Sequence, residues 1–107
     1  MSDTQTRIRD LVTSHDVVLF MKGTPDFPQC GFSMRATNIV RALGVPFHSV
    51  NVLEDPQIRQ GIKTYANWPT IPQLYIRGEF VGGSDIMTQL WEQGELASLL
   101  DPDETDH

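Results

Sequence analysis

Five consecutive apolar residues, Val17-Val18-Leu19-Phe20-Met21, constrain the fold of this chain more than any other stretch. They are too few for a helix and carry no polar alternation, so they predict a strand buried on both faces. Such a strand obliges the rest of the chain to supply a covering layer on each side. Before it, Ile8, Leu11 and Val12 share one helical face between Thr4 and Thr13. After it, Ala36, Ile39, Val40 and Leu43 recur at helical spacing until Gly44 and Pro46 stop the run.

The remaining segments extend this pattern. Phe47 to Val52 alternates and predicts a second strand, and Asp55 followed by Pro56 is a helix start, with Ile58, Ile62 and Tyr65 facing inward. Pro69 and Pro72 break the periodicity. Gln73 to Ile76 and Glu79 to Val81, joined by Arg77-Gly78, predict an antiparallel hairpin. Gly82-Gly83-Ser84-Asp85 then opens a helix with Ser84 or Asp85 as cap and Ile86, Met87, Leu90 and Trp91 inward; Gly94 closes it, and Glu95 to Leu100 forms a last short helix. Strand-helix-strand crossovers require a parallel pair and the hairpin an antiparallel one. The expected class is α/β, a mixed four-stranded sheet flanked by helices on both faces.

With 107 residues the chain can build one core, so residues 1–100 are expected to form a single domain. Residues 101–107, Asp-Pro-Asp-Glu-Thr-Asp-His, have nothing apolar to bury and are expected to be a disordered acidic tail. A net charge of −6, with the basic residues scattered, argues against a nucleic-acid backbone as partner. The first residues have neither a basic segment nor an apolar core, and no apolar run approaches a membrane span, so a cytoplasmic protein with no membrane partner is expected. The single cysteine rules out an internal disulfide and suits a reducing compartment.

That cysteine, Cys30, lies at a strand-loop-helix junction. Unpaired amide groups and the positive end of the helix dipole favour thiolate there, and Lys22 can add a full positive charge. A lone cysteine is commonly a small buried apolar residue. The Gly, Pro and Lys around this one favour a reactive thiol instead, and a thiolate is both nucleophile and metal ligand. Ser33 stands where a Cys-x-x-Cys motif would place its resolving thiol, which excludes intramolecular dithiol chemistry.

Lys22, the Pro-containing loop, Cys30-Gly31-Phe32-Ser33, Trp68-Pro69-Thr70-Ile71-Pro72-Gln73-Leu74-Tyr75 and Gly82-Gly83-Ser84-Asp85 together resemble the monothiol glutaredoxins with a Cys-Gly-Phe-Ser active site, bacterial single-domain type. The similarity runs from about Thr4 to Leu100. It implies a thioredoxin-like fold, a glutathione site, and a [2Fe-2S] cluster shared between two subunits and passed to client apoproteins. Lys22 and Arg59 would then contact the glycyl carboxylate of glutathione and Phe32 would flank the thiolate. Pro72, as a cis-proline, would present the Ile71 backbone to the cysteinyl part, with Thr70 alongside. Gly83, Ser84 and Asp85 would take the γ-glutamyl end. Ser84 and Ile71 depart from the family pattern, in which a second cysteine and an aromatic residue are common at these positions.

Two functions follow. A [2Fe-2S] cluster commonly takes four sulfur ligands, and this chain has one cysteine, so a symmetric site would use Cys30 from each chain of a homodimer plus two glutathione thiols. The alternative is a glutathione-dependent thiol-disulfide oxidoreductase with Cys30 as nucleophile. By resemblance, the extended Thr24 to Gln29 loop favours the iron-sulfur carrier, which is also compatible with BolA-type partners.

Overall fold

The computed structural model describes residues 3–100. The acidic tail lies outside the described residues. Helices α1 (Asp3–Ser14), α2 (Gly31–Ala42), α3 (Pro56–Ala66), α4 (Ser84–Glu92) and α5 (Glu95–Leu100) surround strands β1 (Val17–Met21), β2 (His48–Asn51), β3 (Gln73–Ile76) and β4 (Glu79–Gly82). The strands form one sheet in the order β2-β1-β3-β4. β1 runs parallel to β2 and antiparallel to β3, which pairs antiparallel with β4.

Every residue of β1 is buried, as its apolar run requires. Alternation along the strand divides the core. Val17, Leu19 and Met21 pack with Ala36, Ile39 and Val40 of α2, Met87 of α4 and Leu96 of α5. Val18 and Phe20 face the other way, onto Ile8 and Val12 of α1 and Ile58 and Ile62 of α3. Each fully buried aliphatic side chain contributes about 1.5–3 kcal/mol by leaving water, and this central strand draws that gain from both faces.

Local sequence sets the element ends. The Asp55 carboxylate accepts from the backbone N–H groups of Gln57 (3.1 Å) and Ile58 (3.2 Å), and Pro56 fills the first helical position of α3. Gly44, at φ 72°, follows α2. Three details differ from the sequence expectation. The second strand stops at Asn51, because its side chain accepts from Leu53 N–H and starts a 3-10 turn over Val52–Glu54. The cap of α4 is Gly83, with Ser84 already inside the helix. Trp91 is not inward but 41% exposed: the buried side of α4 centres on Met87, with Leu90 only partly covered.

Candidate functional site

β1 delivers the chain to the site. Past Met21 it leaves the sheet ladder and makes a tight excursion from Lys22 to Gln29, closed where Gln29 N–H donates to Lys22 O at 2.9 Å. Within it, Phe27 N–H donates to Thr24 O (3.0 Å) and Thr24 N–H to Phe27 O (3.2 Å). Gly23 is required here: its φ is 92°, and a Cβ would lie 2.5 Å from Phe27 O and 2.7 Å from Gln29 N. The loop returns the chain to the end of β1, where Cys30 caps α2 in an extended conformation.

The Cys30 side chain closes no capping hydrogen bond, which leaves the first amides of α2 without a side-chain acceptor at that cap. The Ser33 backbone N–H is the largest influence and lowers the thiol pKa; partial burial opposes it. The Phe32 N–H, the Lys22 charge and the Ser33 hydroxyl lower it further, and the net result lies below the ordinary thiol value. Ser33 is completely buried, and its Oγ accepts from Lys22 N–H at 3.0 Å. Thr37 Oγ1 in turn donates to Ser33 O at 2.9 Å. The hydroxyl in the second-thiol position therefore joins the end of β1 to the first turn of α2.

Two hollows meet at Phe32, which is 58% exposed. One, of ≈ 680 Å³, holds Cys30 and runs along α2 past Met34, Arg35 and Ile39 to Trp91. The other, of ≈ 160 Å³, is bounded by Trp68, Thr70, Ile71, Pro72, Gly83, Ser84 and Asp85. The Ile71–Pro72 peptide bond is cis. Gly83 caps α4 without a side chain, and a Cβ there would stand 3.2 Å from Trp68 Nε1 and 3.3 Å from Pro72 O. Two buried polar atoms of this second hollow, Trp68 Nε1 and Ser84 Oγ, have no hydrogen-bond partner among the described residues. A buried donor without a partner is uncommon in a finished fold, and a bound water or polar ligand can satisfy it.

Of the residues singled out in the sequence, Cys30 and Phe32 line the first hollow, and Phe32, Thr70, Ile71, Pro72, Gly83, Ser84 and Asp85 gather in the second. Lys22 acts on the Cys30 sulfur through its charge. Arg59 stands exposed on α3 and lines neither hollow. Lys22, Arg59 and Asp85 enter no ion pair among the described residues. In the sequence Trp68 is part of a motif without a role of its own, and nothing local connects Gly23 to Asn51. Its Oδ1 accepts from Gly23 N–H at 2.9 Å across 28 positions of sequence.

The Glutaredoxin family model matches residues 17–81, from the start of β1 into β4 and across Cys30 and the Ile71–Pro72 bond. The chain belongs to the monothiol glutaredoxin family. It is 57% identical over 99 residues to an uncharacterized monothiol glutaredoxin ycf64-like of Synechocystis, covering 92% of each chain. Against mitochondrial monothiol glutaredoxin-5 of Saccharomyces cerevisiae this glutaredoxin is 53% identical over 97 residues, 88% of its own length and 65% of the yeast protein's. The solution structure of reduced poplar apo GrxS14 superposes with a TM-score of 0.80 at 54% identity, covering 92% of this chain and 90% of that one. The glutaredoxin fold seen here is thioredoxin-like, a mixed sheet with helices on both faces.

Proposed function

We propose that this glutaredoxin carries a [2Fe-2S] cluster between two copies of itself and hands it to client apoproteins. In this reading each copy gives the Cys30 thiolate and seats one glutathione, whose thiolate completes the ligand set. The observation that carries the proposal is a single thiol, held below its ordinary pKa at an uncapped helix start. One sulfur is a quarter of what the cluster needs, and no group of three or more His, Cys, Asp or Glu among the described residues could hold a metal ion. The remaining sulfurs must come from a second chain and a small thiol.

The second hollow suits glutathione. The open amides at the start of α4 fit the γ-glutamyl carboxylate, and the exposed Asp85 carboxylate fits its ammonium. The unpartnered Trp68 Nε1 and Ser84 Oγ supply further polar contacts, and the Ile71 backbone before the cis bond can pair with the peptide. Lys22 and Arg59 are cations for the glycyl carboxylate. Bound this way, glutathione brings the cysteinyl thiol that the chain lacks, while the protein orients it and favours the thiolate form of Cys30.

The same lowered thiol supports a second reading, thiol transfer. The Cys30 thiolate attacks the glutathione sulfur of a mixed disulfide, forming a Cys30–glutathione disulfide and releasing the substrate thiolate. A second glutathione thiolate then attacks the adduct, restoring Cys30 and leaving as oxidised glutathione.

Reconstitution without oxygen, using iron and sulfide with and without glutathione, tests the carrier reading. A visible-absorbing dimer that forms only with glutathione is expected. A colourless monomer with Cys30 free, or equal colour without glutathione, contradicts it.

A further inference from the structure

Where β1 leaves the sheet, the backbone N–H groups of two successive residues are both taken by side chains from other elements. Lys22 N–H donates to Ser33 Oγ of α2 at 3.0 Å, and Gly23 N–H donates to Asn51 Oδ1 at the end of β2 at 2.9 Å. The same Asn51 oxygen also accepts from Leu53 N–H at 3.0 Å, so its amide is fixed before it meets Gly23. Gly23 and Ser33 are buried, and Met21 is the last residue of β1 in register, opposite Asn51. Here the chain has left the ladder that holds residues 17–21, and these two oxygens take the ladder's place.

We infer that Asn51 and Ser33 are positioning residues that clasp the Lys22-Gly23 backbone and thereby set where the Lys22 ammonium stands relative to Cys30 and the glutathione carboxylate. Lys22 has a long, flexible side chain, and the pull of its point charge falls as the inverse of distance, so moving the backbone that anchors it weakens its hold on both groups. Local sequence gives no sign of the clasp, because its two oxygens lie 11 and 28 positions away from the amides they accept. The inference rests on the reading that Lys22 holds glutathione.

A double-mutant cycle on the full chain tests it. Reduced glutathione affinity would be measured by calorimetry, and the pH profile of Cys30 alkylation by iodoacetamide would be recorded beside it. Lys22→Ala is expected to weaken glutathione binding about tenfold and move the alkylation profile to higher pH. Asn51→Ala and Ser33→Ala should each reproduce part of both changes, about three- to fivefold in affinity, and should add little once Lys22 is already Ala. Ser33→Ala also removes a direct influence on the sulfur, so Asn51→Ala is the cleaner arm of the alkylation measurement.

Amide hydrogen exchange on the unmutated protein keeps the test independent of whether the variants fold. Lys22 and Gly23 N–H should be protected although they lie outside the ladder, and rapid exchange of both would overturn the clasp. Asn51→Ala with unchanged affinity and profile beside a weakened Lys22→Ala would overturn the clasp alone, as would equal Asn51→Ala effects in both backgrounds. Lys22→Ala with unchanged glutathione affinity would overturn the glutathione reading, and with it the purpose assigned to the clasp.

Discussion

The helix starts of α3 on one side and of α2 and α4 on the other solve one physical problem differently. At α3 the Asp55 carboxylate takes two amides, Pro56 removes a third, and Arg7 holds the carboxylate with a 2.7 Å ion pair. At α2 and α4 no side chain closes the cap: Cys30 and Gly83 leave the amides directed at a thiol and at a hollow. A capped start is stabilised by about 0.5–2 kcal/mol relative to an Ala start. The open start at Cys30 forgoes that stabilisation and the one at Gly83 only about a few tenths of a kcal/mol, and both border the hollows that meet at Phe32. The closed start supports the fold, while the open ones keep their amides available beside the two hollows.

The largest effect that separates the two kinds of start is expected from Cys30→Ser. Serine is a good helix cap, so α2 should form as before and circular dichroism should not change, but the variant should bind no cluster by visible absorbance. Retained cluster would remove Cys30 from the site.

Gly83→Ala comes next. The added Cβ would stand 3.2 Å from Trp68 Nε1 and 3.3 Å from Pro72 O, narrowing the hollow at the open amides of α4. Glutathione binding measured by calorimetry should weaken about fivefold, ~1 kcal/mol. Unchanged affinity would place the ligand elsewhere.

Asp55→Ala is the converse. It should lower Tm by a few degrees through loss of the α3 cap and leave cluster binding unchanged. A lost cluster with a preserved fold would contradict the division between closed and open starts.

The smallest effect is in the pH dependence. The Arg7 hydrogen bond, and then the Ile58 amide, hold the Asp55 carboxyl below the usual carboxylate range. Its contribution to stability is therefore present above the unfolded value, near 4 for a free Asp, and is lost as pH falls through the lowered value. Cys30 alkylation should change in a separate window, gaining rate below the ordinary thiol pKa because the Ser33 amide favours thiolate. Thermal melts in acid and alkylation rates nearer neutrality would separate the two windows, and Asp55→Ala should reduce the acid dependence of stability without shifting the alkylation profile.

Much of this was legible in the sequence because its causes are local. The five apolar residues of β1 required two covering layers, and Asp55-Pro56 marked a capped start, since cap and amides lie within three positions of each other. The α4 cap departs from the sequence pattern because Ser84 and Asp85 are both good capping residues; in the fold Ser84 is drawn inside the helix and buried to 7% exposure. Helical spacing puts Trp91 on the inward face, but spacing shows that residues share a face and not how far the core reaches along it. In the sequence Ser33 has meaning only as a missing thiol. Its buried hydroxyl, like Asn51, acts across segments that sequence spacing does not connect.

In the proposed carrier the open starts of α2 and α4 serve one assembly, with the Cys30 thiolate at the first and glutathione held at the second. Native mass spectrometry of protein reconstituted without oxygen tests it most directly. Two chains, two iron, two sulfide and two glutathione are expected in one complex, absent in Cys30→Ser. A cluster on a single chain, or a dimer whose cluster mass includes no glutathione, would contradict it.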